Sequence, residues 1–120
     1  PLAMRSANAV LELLLEKDFL DNLRKMIVYF DKKMDELIKN DMQNNPIIFA
    51  KKGSGMLRGF QLNEDVTAGD FSNIAREKSL LLVGAAENTI RLLPPLNTSK
   101  EEVDNAFDIL NDIVLELKKT

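Results

Sequence analysis

The chain has 120 residues, 45% of them hydrophobic and 29% charged, with a formal net charge of −3; this is one domain's worth of an ordinary globular composition, enough to bury roughly 65% of the unfolded surface. Charges of both signs are mixed along the chain without a basic stripe, which disfavours nucleic-acid binding, no apolar run approaches the ~20 residues of a membrane span, and the N-terminus lacks the architecture of a signal peptide. The absence of both Cys and His excludes disulfides, thiol chemistry, zinc motifs and nucleophile–His pairs, and argues against a self-contained enzyme.

The first predicted element is an apolar-rich helix over residues 2–16. Ala3, Ala7, Val10, Leu11 and Leu14 recur at three- and four-residue spacing, and Leu13 and Leu15 widen the apolar surface beyond one stripe. That width suggests contacts on more than one side. Pro1 is not a start methionine, and a helix that begins with the chain suggests a cut inside a larger protein. A second helix is expected from an N-cap at Asp18 to about Asn40. Its inward stripe is Leu20, Leu23, Ile27, Phe30, Met34 and Leu37, with charges opposite. The heptad-like spacing ends within three heptads, short of a coiled coil.

A polar loop over residues 40–46 leads to a short strand, Ile47-Ile48-Phe49-Ala50. Gly53-Ser54-Gly55 turns the chain into a returning strand over residues 56–62, in which Met56, Phe60 and Leu62 share a face interrupted by Arg58. Gly59 marks a bulge or a close backbone approach. Gly53-Ser54-Gly55 lacks the lysine-hydroxyl ending of a phosphate-binding loop and leads into a strand, so it reads as a hairpin turn. Lys51 and Lys52 read as strand-end charges that keep a sheet edge soluble. A short helix is expected at about 70–79 with Phe71, Ile74 and Ala75 inward, then a buried strand over Leu80 to Val83, a turn over residues 84–88 and a strand over 89–93.

In that last strand Ile90 and Leu92 point to one face and Thr89, Arg91 and Leu93 to the other. Arg91 has apolar neighbours on both sides, unlike an ordinary solvated charge. Two readings stand open: a guanidinium offering its planar fork to a carboxylate, or a partly buried structural ion pair. Pro94-Pro95 ends the segment. Thr98-Ser99-Lys100-Glu101 fits a capping box with Thr98 as N-cap. The final helix carries Val103, Phe107, Leu110, Val114 and Leu117 inward, with Lys118 and Lys119 at its C-terminal dipole. The acidic cluster Glu101, Glu102 and Asp104 is explained by the dipole of its first turn, and Met26, Met34, Met42 and Met56 read as core or interface filler. The order α-α-β-β-α-β-β-α predicts an α+β fold: a small antiparallel or mixed sheet of about four strands with helices packed on it.

Four segments carry a resemblance. They are Pro1-Leu2-Ala3-Met4 with Ala7-Asn8-Ala9-Val10-Leu11; Gly53-Ser54-Gly55-Met56-Leu57-Arg58-Gly59; Leu80 to Val83; and Ile90-Arg91-Leu92-Leu93-Pro94-Pro95-Leu96 with the helix after it. Together, and in order over the whole chain, they resemble the C-terminal small domain of the class III, pyridoxal-phosphate-dependent aminotransferases of fold type I, and most of all their acetylornithine-type members. The resemblance implies that residues 1–120 are one domain of a larger enzyme and that Arg91 binds a substrate carboxylate, from acetylornithine or 2-oxoglutarate. It places the cofactor-binding and catalytic residues, the Schiff-base lysine among them, in a large domain outside this chain. No catalytic, cofactor-binding or metal-binding residue is therefore expected here, and the isolated chain is expected to be inactive and free of pyridoxal phosphate. The partners implied are that large domain and a second copy in a homodimer, without nucleic acid or membrane, in the cytoplasm, and the uncovered apolar surface near residues 2–15 is expected to promote weak self-association.

Arg5, Ser6, Arg58, Phe60 and Ser79 depart from the family's usual residues. An ornithine, succinylornithine or 4-aminobutyrate aminotransferase, an aminomutase, and a stand-alone α+β binding or oligomerisation module are the other readings.

Overall fold

The computed structural model describes residues 1–119. Its elements are α1 (Leu2–Leu14), α2 (Phe19–Asp41), β1 (Ile48–Ser54), β2 (Leu57–Leu62), α3 (Ala68–Glu77), β3 (Val83–Ala85), β4 (Thr89–Leu92) and α4 (Lys100–Lys118). The order is the expected one, and the sheet is wholly antiparallel, with strand order β1-β2-β4-β3.

Period-2 alternation gives the sheet an inner and an outer face. Ile48, Phe60, Leu62, Ile90 and Leu92 form one core with Phe30, Met34 and Leu37 of α2, Phe71 and Ala75 of α3, and Val103, Phe107, Leu110, Ile113 and Val114 of α4. Two edge-to-face aromatic pairs lie in it: Phe30 with Phe107 joins α2 to α4, centroids 5.2 Å apart, and Phe60 with Phe71 joins β2 to α3, 5.5 Å apart. The covering helices share one side. The other sheet face, with Leu57 58% and Val83 60% exposed, has no second layer among the described residues.

The N-terminal helix forms as expected, with its apolar surface uncovered and without contacts on more than one side among the described residues. No residue of α1 is buried, and Leu2 and Leu15 are about four-fifths exposed, at 82% and 79%. It contacts the rest of the chain chiefly through α2, and the Cα radius of gyration is 16.2 Å against roughly 14 Å for a compact chain of this length. Asp18 precedes α2 as expected, but at φ 70° its side chain makes no capping bond.

Three further boundaries differ. The expected buried strand over Leu80 to Val83 is wrong: the strand is Val83–Ala85, and Leu81 is 81% exposed. The cause is the end of α3. Leu80 N–H bonds to Ala75 O and Ser79 N–H to Arg76 O, a Schellman closure that holds Ser79 in the left-handed region at φ 66°. The chain leaves this turn without strand pairing until Val83. Second, the N-cap of α4 is Ser99, whose hydroxyl accepts from Glu102 N–H, while Thr98 donates to the Glu102 carboxylate instead. Third, the β1–β2 turn lies at Gly55-Met56, with Gly55 at φ 61°, because Gly53 and Ser54 still belong to the ladder. Only glycine fits at Gly53, where φ is 85° and a Cβ would lie 2.2 Å from Leu57 O.

Two ionic clusters join the helices to the sheet. Arg58 interrupts the apolar face of β2 as expected, yet it is 7% exposed and paired with Asp31 of α2. Lys51 bonds to both Asp31 and Asp35, at 3.1 and 2.6 Å. Lys51 and then Arg58 hold the Asp31 carboxyl below its ordinary range, against the opposing effect of burial. The second cluster centres on Asp41, 1% exposed at the end of α2. Its carboxylate accepts from Ile47 N–H at 3.1 Å and Ile48 N–H at 2.7 Å, and pairs with Lys118 of α4 at 3.0 Å. Lys118 thus clamps the end of α2 rather than capping its own helix. On the far side, Tyr29 donates to Asp104 across α2 and α4, and this bond raises the tyrosine to about 12.

Asp31→Asn strands the buried Arg58 guanidinium and costs about 2 kcal/mol in urea unfolding, whereas Arg58→Met removes the charge altogether and costs less. Asp31 has a lowered folded pKa, so its contribution is present above the unfolded value of about 3.9 and fades as pH falls below it. Asp31→Asn therefore flattens the acid limb of the stability profile. Tyr29 has the opposite sign: its contribution is present below an unfolded value of about 10 and is lost as pH rises from there toward about 12. Tyr29→Phe flattens that alkaline limb. Ser79→Gly relieves a left-handed serine and raises stability by about 0.5–1 kcal/mol, read as an upward shift of the thermal midpoint.

Candidate functional site

The outer face of the sheet is built in cross-strand rows. Lys52 lies opposite Gly59, Gly59 opposite Arg91, and Arg91 opposite Val83. These four positions share one face, because directly paired residues of an antiparallel ladder point the same way. The next row holds Ala50, Gln61, Thr89 and Ala85. The neighbouring rows, which carry Phe60 with Ile90 and Arg58 with Leu92, point into the core.

Gly59 shapes this surface. A Cβ there would lie 2.8 Å from Ile90 O and 3.0 Å from the Thr89 methyl group. Glycine thus allows the close approach of β2 to β4, and it leaves a floor of bare peptide between Lys52 and Arg91. The irregularity of the sheet falls elsewhere, at Phe49 in β1, where the register shifts. A shallow recess of about 380 Å³ opens over Gly59, lined by Lys52, Leu57, Ala85, Thr89 and Arg91 among others.

The charges on this face are unequally matched. Lys52 pairs with Glu87 in the β3–β4 turn, and the ammonium holds that carboxyl below its ordinary range. Arg91 is exposed, and among the described residues its guanidinium has neither an ion pair nor a hydrogen bond. Of the two readings left open by the sequence, the internal ion pair does not form at Arg91. That role belongs to Arg58, one row away on the other face. The expectation that apolar neighbours would keep Arg91 from ordinary solvation also fails within this chain: Leu93 beside it is itself 65% exposed. The guanidinium is presented outward, among apolar side chains that are uncovered as well.

One residue near the site escaped the sequence reading. Asn88, in the turn before β4, has φ 51°. Its Oδ1 accepts from Ala68 N–H at 2.7 Å; its Nδ2 donates to Asn63 O at 2.9 Å and Val66 O at 2.8 Å, with a longer contact to Leu62 O. Its own carbonyl accepts from Leu62 N–H at 2.9 Å. The only signal in the sequence was an asparagine in a turn, a residue type that tolerates left-handed backbone. Among the described residues no group of three or more acidic side chains converges as a metal site, and Glu102 and Asp104 are engaged by Thr98 and Tyr29. Of the methionines, Met34 and Met56 are buried, whereas Met42 is 70% exposed and fills nothing here. No helix is long and apolar enough to cross a membrane among the described residues.

Comparison with known proteins places this geometry. Residues 1–114 match the model of the family described as aminotransferase class III. Acetylornithine aminotransferase 2 of Caulobacter vibrioides is 36% identical over 107 residues, which are 89% of this chain and 25% of that protein. Acetylornithine aminotransferase 1 of Bradyrhizobium diazoefficiens is 33% identical, over 88% of this chain and 25% of that protein. The ornithine aminotransferase of Staphylococcus carnosus is 34% identical, over 94% of this chain and 26% of that protein. The chain thus spans about a quarter of the length of these relatives. In three dimensions it superposes on the acetylornithine aminotransferase of Elizabethkingia anophelis with a TM-score of 0.78 at 24% identity, over 92% of this chain and 28% of that one. These solved structures share the fold. By its sequence, over nearly its whole length, the chain belongs to the class III aminotransferases.

Proposed function

We propose that this chain is the C-terminal small domain of an acetylornithine-type aminotransferase, and that Arg91 grips a substrate carboxylate there. The observation that carries the reading is the unpaired Arg91 guanidinium on a sheet face with no covering layer among the described residues. A planar fork of this kind takes a carboxylate through two parallel hydrogen bonds. Both substrates of an acetylornithine:2-oxoglutarate transamination carry carboxylates.

In the intact enzyme the face is closed by a large domain of the same polypeptide. Leu57, Val83 and Leu93 then exclude water around the guanidinium, which strengthens its charge-assisted bonds. The larger contribution is orientation, since a fixed carboxylate holds the reacting amino or keto carbon in one place. The apolar stripe of α1 is a second surface for the same covering body. The proportion of the relatives' length that the chain spans supports both points.

Pyridoxal phosphate is the cofactor that the family implies, and when bound it supplies the electron sink and carries the amino group between donor and acceptor. The residues of this segment do not form a cradle for it: the one lysine on the outer sheet face among the described residues, Lys52, is tied to Glu87. We therefore assign the cofactor's holding residues to the large domain, and infer that these 120 residues alone do not transaminate. A homodimer, a place in arginine biosynthesis and a cytoplasmic location go with this assignment. Ornithine as the amino donor is the second reading, favoured by the similarity to the Staphylococcus carnosus enzyme.

The test is Arg91→Ala in the intact polypeptide. A lost charge-assisted carboxylate contact of about 1.5–3 kcal/mol raises KM for both carboxylate substrates by about 10- to 150-fold, and Arg91→Lys recovers part of it. Unchanged KM for both substrates sinks the assignment.

A further inference from the structure

We propose that Asn88 is a positioning residue for Arg91, fixing the strand register that turns the guanidinium to the open face. This rests on the carboxylate reading of Arg91. The geometry behind it is specific to the short β2–β4 ladder, which pairs at only four positions, from Arg58 with Leu92 to Gln61 with Thr89. Because side chains alternate with period 2, a slip of one residue would turn Arg91 into the core and expose Leu92.

The C-terminal end of the ladder is the buried pair Arg58 and Leu92, and the strand ends there. Leu93 is followed by Pro94 and Pro95, which have no N–H to donate to a neighbouring strand. Burial of Ile90 and Leu92 favours this register, and Asn88 pins it at the N-terminal end. Its carbonyl takes the Leu62 N–H, extending the β2–β4 pairing past Gln61 and Thr89. Its side-chain amide donates to Asn63 O and Val66 O, so the loop after β2 cannot shift without breaking them. Its Oδ1 takes the Ala68 N–H at the start of α3, whose Phe71 packs on Phe60 of β2. One side chain thus locks a strand end, a loop and a helix start to the residue three places before Arg91. Every polar atom of that side chain is used, so no other amino acid reproduces the set.

A double-substitution cycle in the intact enzyme tests this. Asn88→Gly keeps the left-handed backbone accessible and deletes the side-chain bonds. It is expected to raise KM for the carboxylate substrates about tenfold, with kcat changed less than threefold. In the Arg91→Ala background the same change is expected to leave KM within twofold, while lowering the thermal midpoint in both backgrounds. A residue that only stabilised the fold would lower the midpoint without this dependence on Arg91. An unchanged KM for Asn88→Gly, or an equal rise with and without Arg91, overturns the proposal and leaves the role of Arg91 standing. If Arg91→Ala alone leaves KM unchanged, the carboxylate reading fails first and this proposal falls with it. Should Asn88→Gly not fold, Asn88→Asp carries the same cycle, since it keeps the Ala68 acceptor and loses the two donated bonds.

Discussion

Pairing of β2 with β4 decides where every side chain of the sheet points. Gly59 opposite Arg91 and Phe60 opposite Ile90 assign one row to the outer face and the next to the core. The inner row is held by burial: Phe60 and Ile90 are fully inaccessible and pack among three helices. In the outer row, among the described residues, Lys52 is paired with Glu87 and Arg91 is unpaired. The same register that completes the core thus leaves a guanidinium unpaired on the far side. Core packing and the candidate site are two consequences of one alignment.

The charged residues divide along the same line. On the inner side cations are matched: Arg58 and Lys51 with Asp31, and Lys118 with Asp41. Buried or half-buried charge is tolerated there because it is paired, and Asp41 also accepts from the Ile47 and Ile48 N–H groups. Of the outer-face cations Lys52 and Arg91, only Lys52 finds a partner among the described residues, in Glu87. Arg91 is left over, and so is the apolar surface around it. Leu57, Val83, Leu93 and the stripe of α1 would be a liability on an isolated domain. On the proposed reading this is surface that a further domain covers, and the relatives that the chain matches are about four times as long.

What the sequence disclosed depended on range. The long helix over Phe19–Asp41 and the final helix followed from 3.6-residue periodicity, which is a local property. The face of Arg91 followed from period 2 once its strand was placed, and the segment Ile90 to Leu96 carried much of the family resemblance. Leu80 to Val83 misled because an apolar run reads alike whether it forms a strand or an exposed connection, and the deciding element was the left-handed Ser79 upstream. Arg58 read as a flaw in an apolar face because its partner, Asp31, is 27 residues away on another element. Asp41 and Asn88 could not be seen for the same reason: their bonds join segments that only the fold brings together. Arg91 itself was legible as a candidate, but its freedom from any ion pair needed the structure.

The account turns on what faces Arg91 when the outer sheet face is closed. The most direct measurement is a crystal structure of the intact polypeptide with an unreactive dicarboxylate substrate analogue bound. The account predicts a carboxylate gripped by both terminal nitrogens of Arg91 at about 2.7–2.9 Å, with Leu57, Val83 and Leu93 covered. An analogue bound elsewhere, with Arg91 open to solvent or paired to an acidic side chain, would contradict it.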